Sequence, residues 1–210
     1  MFGIENYGAF VLSAVALNLV PGQDTMYILG SSISNGRKAG ILSALGISSG
    51  CIVHTVMAAL GLSIVLSQSA LAFNLVKYVG AAYLVYLGVR SFLSQSSLLI
   101  KKEENIKNNK KIFLQAIMTN VLNPKVALFF LAFLPQFIDP ANRYGPLPFL
   151  LLGITFIFTG TIWGLVLAMG TSYFAGKVDS NPQVAGFLNK ITGIIFMGLG
   201  LNLLRAKLAS

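Results

Sequence analysis

Two short runs decide what this chain can fold into: Asn18-Leu-Val-Pro21-Gly22-Gln23-Asp24 and Asn120-Val-Leu-Asn123-Pro124-Lys125. Each puts a helix breaker and a charged residue inside a stretch otherwise apolar enough to cross a bilayer. Proline removes a backbone donor and clashes with the preceding turn, and hydrocarbon cannot satisfy the backbone groups so freed. A charge in hydrocarbon is costly as well. Both features are tolerated where they line a polar cavity, so the runs predict two interrupted helices around such a cavity.

The rest of the chain supplies the membrane setting. It is 55% hydrophobic and 10% charged, against roughly 25% charged residues in an ordinary soluble domain. Its mean hydropathy is +0.77. Six apolar segments, at about 5–30, 39–66, 71–93, 113–138, 146–170 and 187–205, each approach the ~20 residues a helix needs to span. The expected fold is an all-α membrane protein of about six transmembrane helices. The segments use most of the 210 residues, leaving nothing large enough for a separate soluble core. A single membrane domain over 1–210 is therefore expected. No basic region precedes the first apolar run, so a removable signal peptide is not expected.

Cys51 is the one cysteine, which excludes an intrachain disulfide and a paired-thiol relay. That argues against a membrane thiol-disulfide enzyme and for a non-enzymatic role. The net charge of +9 does not point to nucleic acid, because the basic residues lie mostly between apolar segments. Membrane orientation explains them. With six spans, ten Lys and Arg (Arg37, Lys38, Arg90, Lys101, Lys102, Lys107, Lys110, Lys111, Lys177, Lys190) fall on one side and four (Lys77, Arg143, Arg205, Lys207) on the other. The loop 94–112 is thereby placed in the cytoplasm and both termini outside.

The two broken runs are spaced by half the chain: Asn18 to Asn120 is 102 positions and Pro21 to Pro124 is 103. With three spans per half, the second copy enters from the opposite face. This predicts two inverted three-helix repeats, about 1–93 and 113–207, with helices 1 and 4 broken, as in transporters whose midplane sites are built from discontinuous helices.

Within the runs, Pro21 and Gly22, and Pro124 in the other half, free half-helix amides that can face an anion. Asn18, Asn120 and Asn123 carry donors and acceptors that serve either the broken backbone or a polar ligand. Asp24 and Lys125 are the strongly ionisable residues well inside the apolar spans, and each needs a partner. Two arrangements are open: an ion pair between them, or a wet cavity in which Asp24 attracts an ammonium and Lys125 a carboxylate. Asp24 is the candidate proton carrier. His54 is read as packing and hydrogen bonding ahead of a proton relay, Trp163 as an interfacial aromatic together with Tyr7, Tyr78 and Tyr173, and Tyr83 as packing rather than cavity lining. The glycine pairs Gly36/Gly40, Gly46/Gly50 and Gly160/Gly164 predict close helix contacts.

These motifs resemble one family. Asn18 to Asp24, the glycines Gly36, Gly40, Gly46 and Gly50 with Gly61-Leu62, the run Gly80 to Gly88 containing Tyr83 and Tyr86, and Asn120 to Phe137 are together similar to the LysE/RhtB amino-acid exporters, the bacterial lysine exporter and homoserine/threonine resistance group. The resemblance extends over nearly the whole chain. It implies a multi-pass exporter in the bacterial cytoplasmic (inner) membrane, driven by the proton gradient, with homodimers in its repertoire and no cofactor. The family's usual Pro-Gly-Pro stands here as Pro21-Gly22-Gln23, so Gln23 replaces the second proline and makes the break more polar.

The expected function is export of an amino acid or close derivative by proton antiport. The expected pathway residues are Asn18, Pro21, Gly22, Gln23, Asp24, Asn120, Asn123, Pro124 and Lys125, with protons, the substrate and lipid as partners and no metal site. Two rivals stand beside it. A divalent-cation exporter is weakened by Lys125 and by too few carboxylates for a hard metal. A noncatalytic assembly or signalling subunit would use the breaks only for packing.

Overall fold

A computed structural model describes residues 2–62, 70–93, 108–139, 141–171 and 182–205. Among these residues the chain is helical, its one β feature an isolated antiparallel bridge between Ile4 and Ile138. The elements run α1 (Tyr7–Leu19), α2 (Gln23–Asn35), α3 (Arg37–Met57, continued by a π-helical turn, Ala58–Leu62), α4 (Ala70–Leu93), α5 (Asn109–Val121), α6 (Pro124–Leu128, continued by π and 3₁₀ turns to Phe137), α7 (Leu147–Met169) and α8 (Pro182–Arg205).

Both expected breaks are present. A residue before proline is sterically pushed out of the helical region, and this happens twice. Val20 adopts φ −65°, ψ 119° and ends α1; Asn123 adopts φ −77°, ψ 109° two residues past the end of α5 and caps the start of α6. The interruption between α5 and the segment Pro124–Phe137 bends the path by 47°. Two continuous helices, Arg37–Leu62 and Leu147–Met169, are long and apolar enough to cross a membrane, and the bent pair is a third candidate span. At 1.5 Å per residue they cover about 35 to 39 Å, against a hydrocarbon core of about 30 Å.

Packing places the breaks side by side. Of all helix pairs, α4 packs most extensively on α8, and next come α3 on α5 and α3 on α7. The chain start lies against the end of α6: the Glu5 amide donates to the Phe137 carbonyl at 2.8 Å and the Asp139 amide to Gly3 at 3.0 Å. On the other side of the breaks, the Tyr27 hydroxyl donates to the Ile112 carbonyl at 3.1 Å. Thus α1 and α6 share one half of the molecule, α2 and α5 the other. An aromatic core of Phe10, Phe129, Phe130, Phe133, Phe137 and Phe156, with ring centroids 4.7 to 6.0 Å apart, fixes α6 between α1 and α7. Such pairs contribute about 0.5–1.5 kcal/mol each beyond area burial.

Glycine sets the closest approaches. A Cβ on Gly46 would lie 2.6 Å from the Phe113 carbonyl oxygen, and one on Gly50 2.7 Å from Asn120 Oδ1 and 3.0 Å from the Ile117 carbonyl, so α3 and α5 touch at their backbones. Gly88 and Gly193 do the same for α4 and α8, each within 2.8 Å of the other's carbonyl oxygen. Gly36 serves differently: its φ of +83° turns the chain from α2 into α3, and no atom crowds it. Tyr83 packs beside Tyr86, ring centroids 5.8 Å apart. Tyr173 and most of the basic loop lie outside the described residues.

Gly50→Val must push α5 away and is expected to lower stability by about 1–3 kcal/mol, the usual cost of overpacking. Gly61→Ala, whose Cβ meets nothing within 4 Å, is expected to stay within about 0.5 kcal/mol of the parent. Thermal unfolding of the purified proteins in detergent measures both; similar midpoints for the two variants would contradict the backbone contact.

Candidate functional site

Two helix ends face each other at the first break and two at the second, and each releases backbone groups that lipid cannot satisfy. At the first break the carbonyls of Leu17 and Val20 point past the end of α1. They accept hydrogen bonds from Lys125 Nζ at 3.3 and 3.1 Å. At the second break Asn123 caps α6 by accepting the Lys125 amide at 3.0 Å, with Pro124 at the first helical position, where its missing donor costs nothing. The Asn120 carbonyl accepts the Asn123 amide at 2.9 Å and lies 3.1 Å from His54 Nε2. A carbonyl can only accept, so His54 donates from Nε2. Its ring also stacks on Phe130, centroids 5.7 Å apart.

Asp24 stands in the first turn of α2, where the helix dipole favours a negative charge. Asn120, fully buried, donates from Nδ2 to Asp24 Oδ2 at 2.9 Å. Asp24 Oδ1 is buried with no hydrogen-bond partner, as are Asn120 Oδ1 and Asn123 Nδ2. Asp24 and Lys125 line one cavity, yet no ion pair within 4 Å joins them. Of the two arrangements left open by the sequence, the direct ion pair is absent: each charge is held by neutral groups from the opposite break.

The cavity has a volume of about 40 Å³. At about 10–15 Å³ per water position it has room for only a few waters, far below the ~300 Å³ at the lower end of small-molecule sites. Asn18, Asp24, Thr25, Ser48 and Lys125 contribute polar atoms to its wall, and Ile28, Ile47, Val126, Phe156, Ile157, Leu167 and Trp163 the apolar face. Asn18 is braced by donating from Nδ2 to Thr159 Oγ1 at 3.0 Å. Gly160, opposite Asn18, leaves the space its amide occupies.

Of the nine expected residues, the structure brings Asn18, Asp24 and Lys125 onto the cavity wall, with Asn120 directly behind Asp24. Asn123, Pro21, Gly22 and Pro124 shape the breaks. Gln23 faces away. It lines a separate groove of about 1010 Å³ between α2 and α5, together with Met26, Tyr27, Lys110, Lys111 and Gln115. The partition between groove and cavity is α2 itself, with Gln23, Met26 and Tyr27 on one face and Asp24, Thr25 and Ile28 on the other. Trp163, expected at the interface, lines the cavity instead. Thr159 and Ser48 were not anticipated. Their signal was faint: hydroxyls on apolar helices, each already donating to a carbonyl one turn back, Thr155 and Ala44 respectively.

The profile of the LysE type translocator family matches residues 15–207. A Vibrio cholerae protein, named only as an uncharacterized membrane protein, is 35% identical over 95% of this chain and 96% of its own length. A second so named, from Bacillus subtilis, is 34% identical over 92% of this chain and 95% of its own. A Salmonella choleraesuis protein named "Leucine efflux protein" is 28% identical over 96% of each. No solved structure matches.

Asn120→Ala strips Asp24 of its remaining partner and is expected to destabilise by about 1–3 kcal/mol, the cost of orphaning a buried polar group. Thr159→Val removes one interhelical hydrogen bond, which in membranes averages about 0.6 kcal/mol. Unfolding midpoints in detergent should rank the two in that order; the reverse order would demote the Asp24–Asn120 contact.

Proposed function

The chain belongs to the LysE type translocator family, and we propose that it exports an amino acid with an apolar side chain across the bacterial inner membrane in exchange for protons. The observation that carries this reading is the closed cavity between the two breaks, bounded by the Asp24 carboxylate on one side and the Lys125 ammonium on the other. An α-amino acid presents the complementary pair, an ammonium for Asp24 Oδ1 and a carboxylate for Lys125. The aliphatic and aromatic wall suits an apolar side chain better than a second cation. The name of the Salmonella relative supports the same class.

In this reading the molecule is one domain of six spans in two inverted repeats, with α1–α2, α3 and α4 matched by α5–α6, α7 and α8. Supporting it, each matched pair is in contact: broken helix with broken helix, α3 with α7, α4 with α8. The α1–α6 half faces outward and the α2–α5 half, with Arg37, Lys38, Lys110 and Lys111, faces the cytoplasm. The large groove is then the cytoplasmic vestibule, closed from the cavity by α2. Movement of α2 admits substrate to Asp24; movement of α1 and α6 releases it outward. Asp24 is the proton carrier, neutral when it holds the coupling proton and charged when it holds the substrate ammonium.

Proteoliposomes with an imposed pH gradient test the proposal. Gradient-driven leucine flux is expected for the wild type, and Asp24→Asn is expected to lower it at least about tenfold, the equivalent of 1.4 kcal/mol. Full gradient-driven flux in Asp24→Asn would remove Asp24 from coupling. Absence of flux for every apolar amino acid would sink the substrate class.

A further inference from the structure

Backbone carbonyls freed where a membrane helix is interrupted, and the negative end of the half-helix, are where secondary transporters coordinate a coupling cation such as Na⁺. The end of α1 is such a corner, and it is filled. Lys125 Nζ, reaching across from the other half of the chain, bonds the Leu17 and Val20 carbonyls at 3.3 and 3.1 Å. The carboxylate of Asp24 borders the same cavity. Gly22 keeps the corner large enough for a cation, since a Cβ there would sit 3.3 Å from Nζ. Two backbone acceptors, a nearby carboxylate, a helix C-terminus and a cleared volume are what a bare monovalent cation would require.

We propose that the Leu17 and Val20 carbonyls form a monovalent-cation site occupied by a tethered cation, the Lys125 ammonium, which makes the protein independent of Na⁺ and K⁺. This deepens the transporter reading by assigning its ion requirement, and it rests on that reading only for transport itself. The site is tested without substrate. An ordinary helix-capping lysine would satisfy the same two carbonyls, but the space it vacated would have no affinity for a free cation.

Purified protein in detergent is melted in chloride salts of Na⁺, K⁺, methylammonium and choline at equal ionic strength. The wild type is expected to unfold at one temperature in all four. Lys125→Ala, which opens the corner, is expected to unfold about 5 °C or more lower in choline, and methylammonium is expected to recover most of that loss with saturation. Lys125→Met fills the volume with an uncharged chain and is expected to be lowered without recovery. If Lys125→Ala is not monodisperse when purified in choline, its recovery by purification in methylammonium supports the site, and failure in methylammonium and Na⁺ alike overturns it. A folded Lys125→Ala indifferent to every small cation, or a wild type stabilised saturably by Na⁺, also overturns it. Wild-type liposomes without amino-acid flux would defeat the transport reading and leave this comparison standing.

Discussion

Backbone groups released at Pro21 and Pro124 must be bonded inside the protein, and the groups that bond them come largely from the opposite half. Lys125, from the second run, closes the carbonyl end of α1. Asn120, from the same run, steadies Asp24 at the start of α2. His54, from α3, takes the carbonyl left at the end of α5. An unpartnered buried polar group costs about 1–3 kcal/mol, so the two breaks hold each other in place. Separating them would strand several such groups at once, and a small cavity lies where the breaks meet.

Long polar side chains between closely packed helices need room, and glycine supplies it. Gly22 stands opposite Lys125, Gly50 opposite Asn120 and Gly160 opposite Asn18. Each pair joins a residue with no side chain to one whose polar end carries the site. Small residues in membrane helices are usually explained by backbone contact alone, and Gly46, Gly88 and Gly193 fit that account. The other three also crowd a hydrogen-bonding group: a Cβ on Gly22, Gly50 or Gly160 would press on Lys125, Asn120 or Asn18, so packing and chemistry at this site are linked.

The interruptions themselves were legible in the sequence because the rule behind them is local. Proline restricts its own residue and the one before it, whatever the rest of the chain does, so Val20 and Asn123 had to leave the helix. That Asn18, Asp24 and Lys125 share a cavity also followed, since charges in apolar spans need polar surroundings. What Lys125 bonds to did not follow. Both readings considered for it named side chains or ligands, whereas its partners are main-chain carbonyls, which every residue carries and no sequence pattern marks. Trp163 was misplaced for a related reason. The tendency of tryptophan to sit at membrane interfaces is a statistical preference, and it yields where neighbouring glycines, here Gly160 and Gly164, let another helix come close and turn that face of α7 inward. Gln23, named with the break because it stands where a second proline is usual, lies on the opposite side of α2 from Asp24 and lines the groove, since successive residues on a helix point about 100° apart.

That opposition has a consequence for the charges. Had Asp24 and Lys125 formed a direct ion pair, each would have consumed the other's field, and the gain from pairing would have been offset by the cost of taking both out of water. Instead an amide holds one oxygen of the carboxylate and carbonyls hold the ammonium. Asp24 Oδ1 is left without a partner beside a cavity of about 40 Å³. The Asp24 carboxylate and the Lys125 side chain, each held by neutral ligands, thus border one small space. The helix α2 separates this space from the groove bordered by Lys110 and Lys111. That helix is anchored through Asp24 to Asn120 and through Tyr27 to Ile112, and on the other side of the breaks the aromatic rings of α1, α6 and α7 pack against one another.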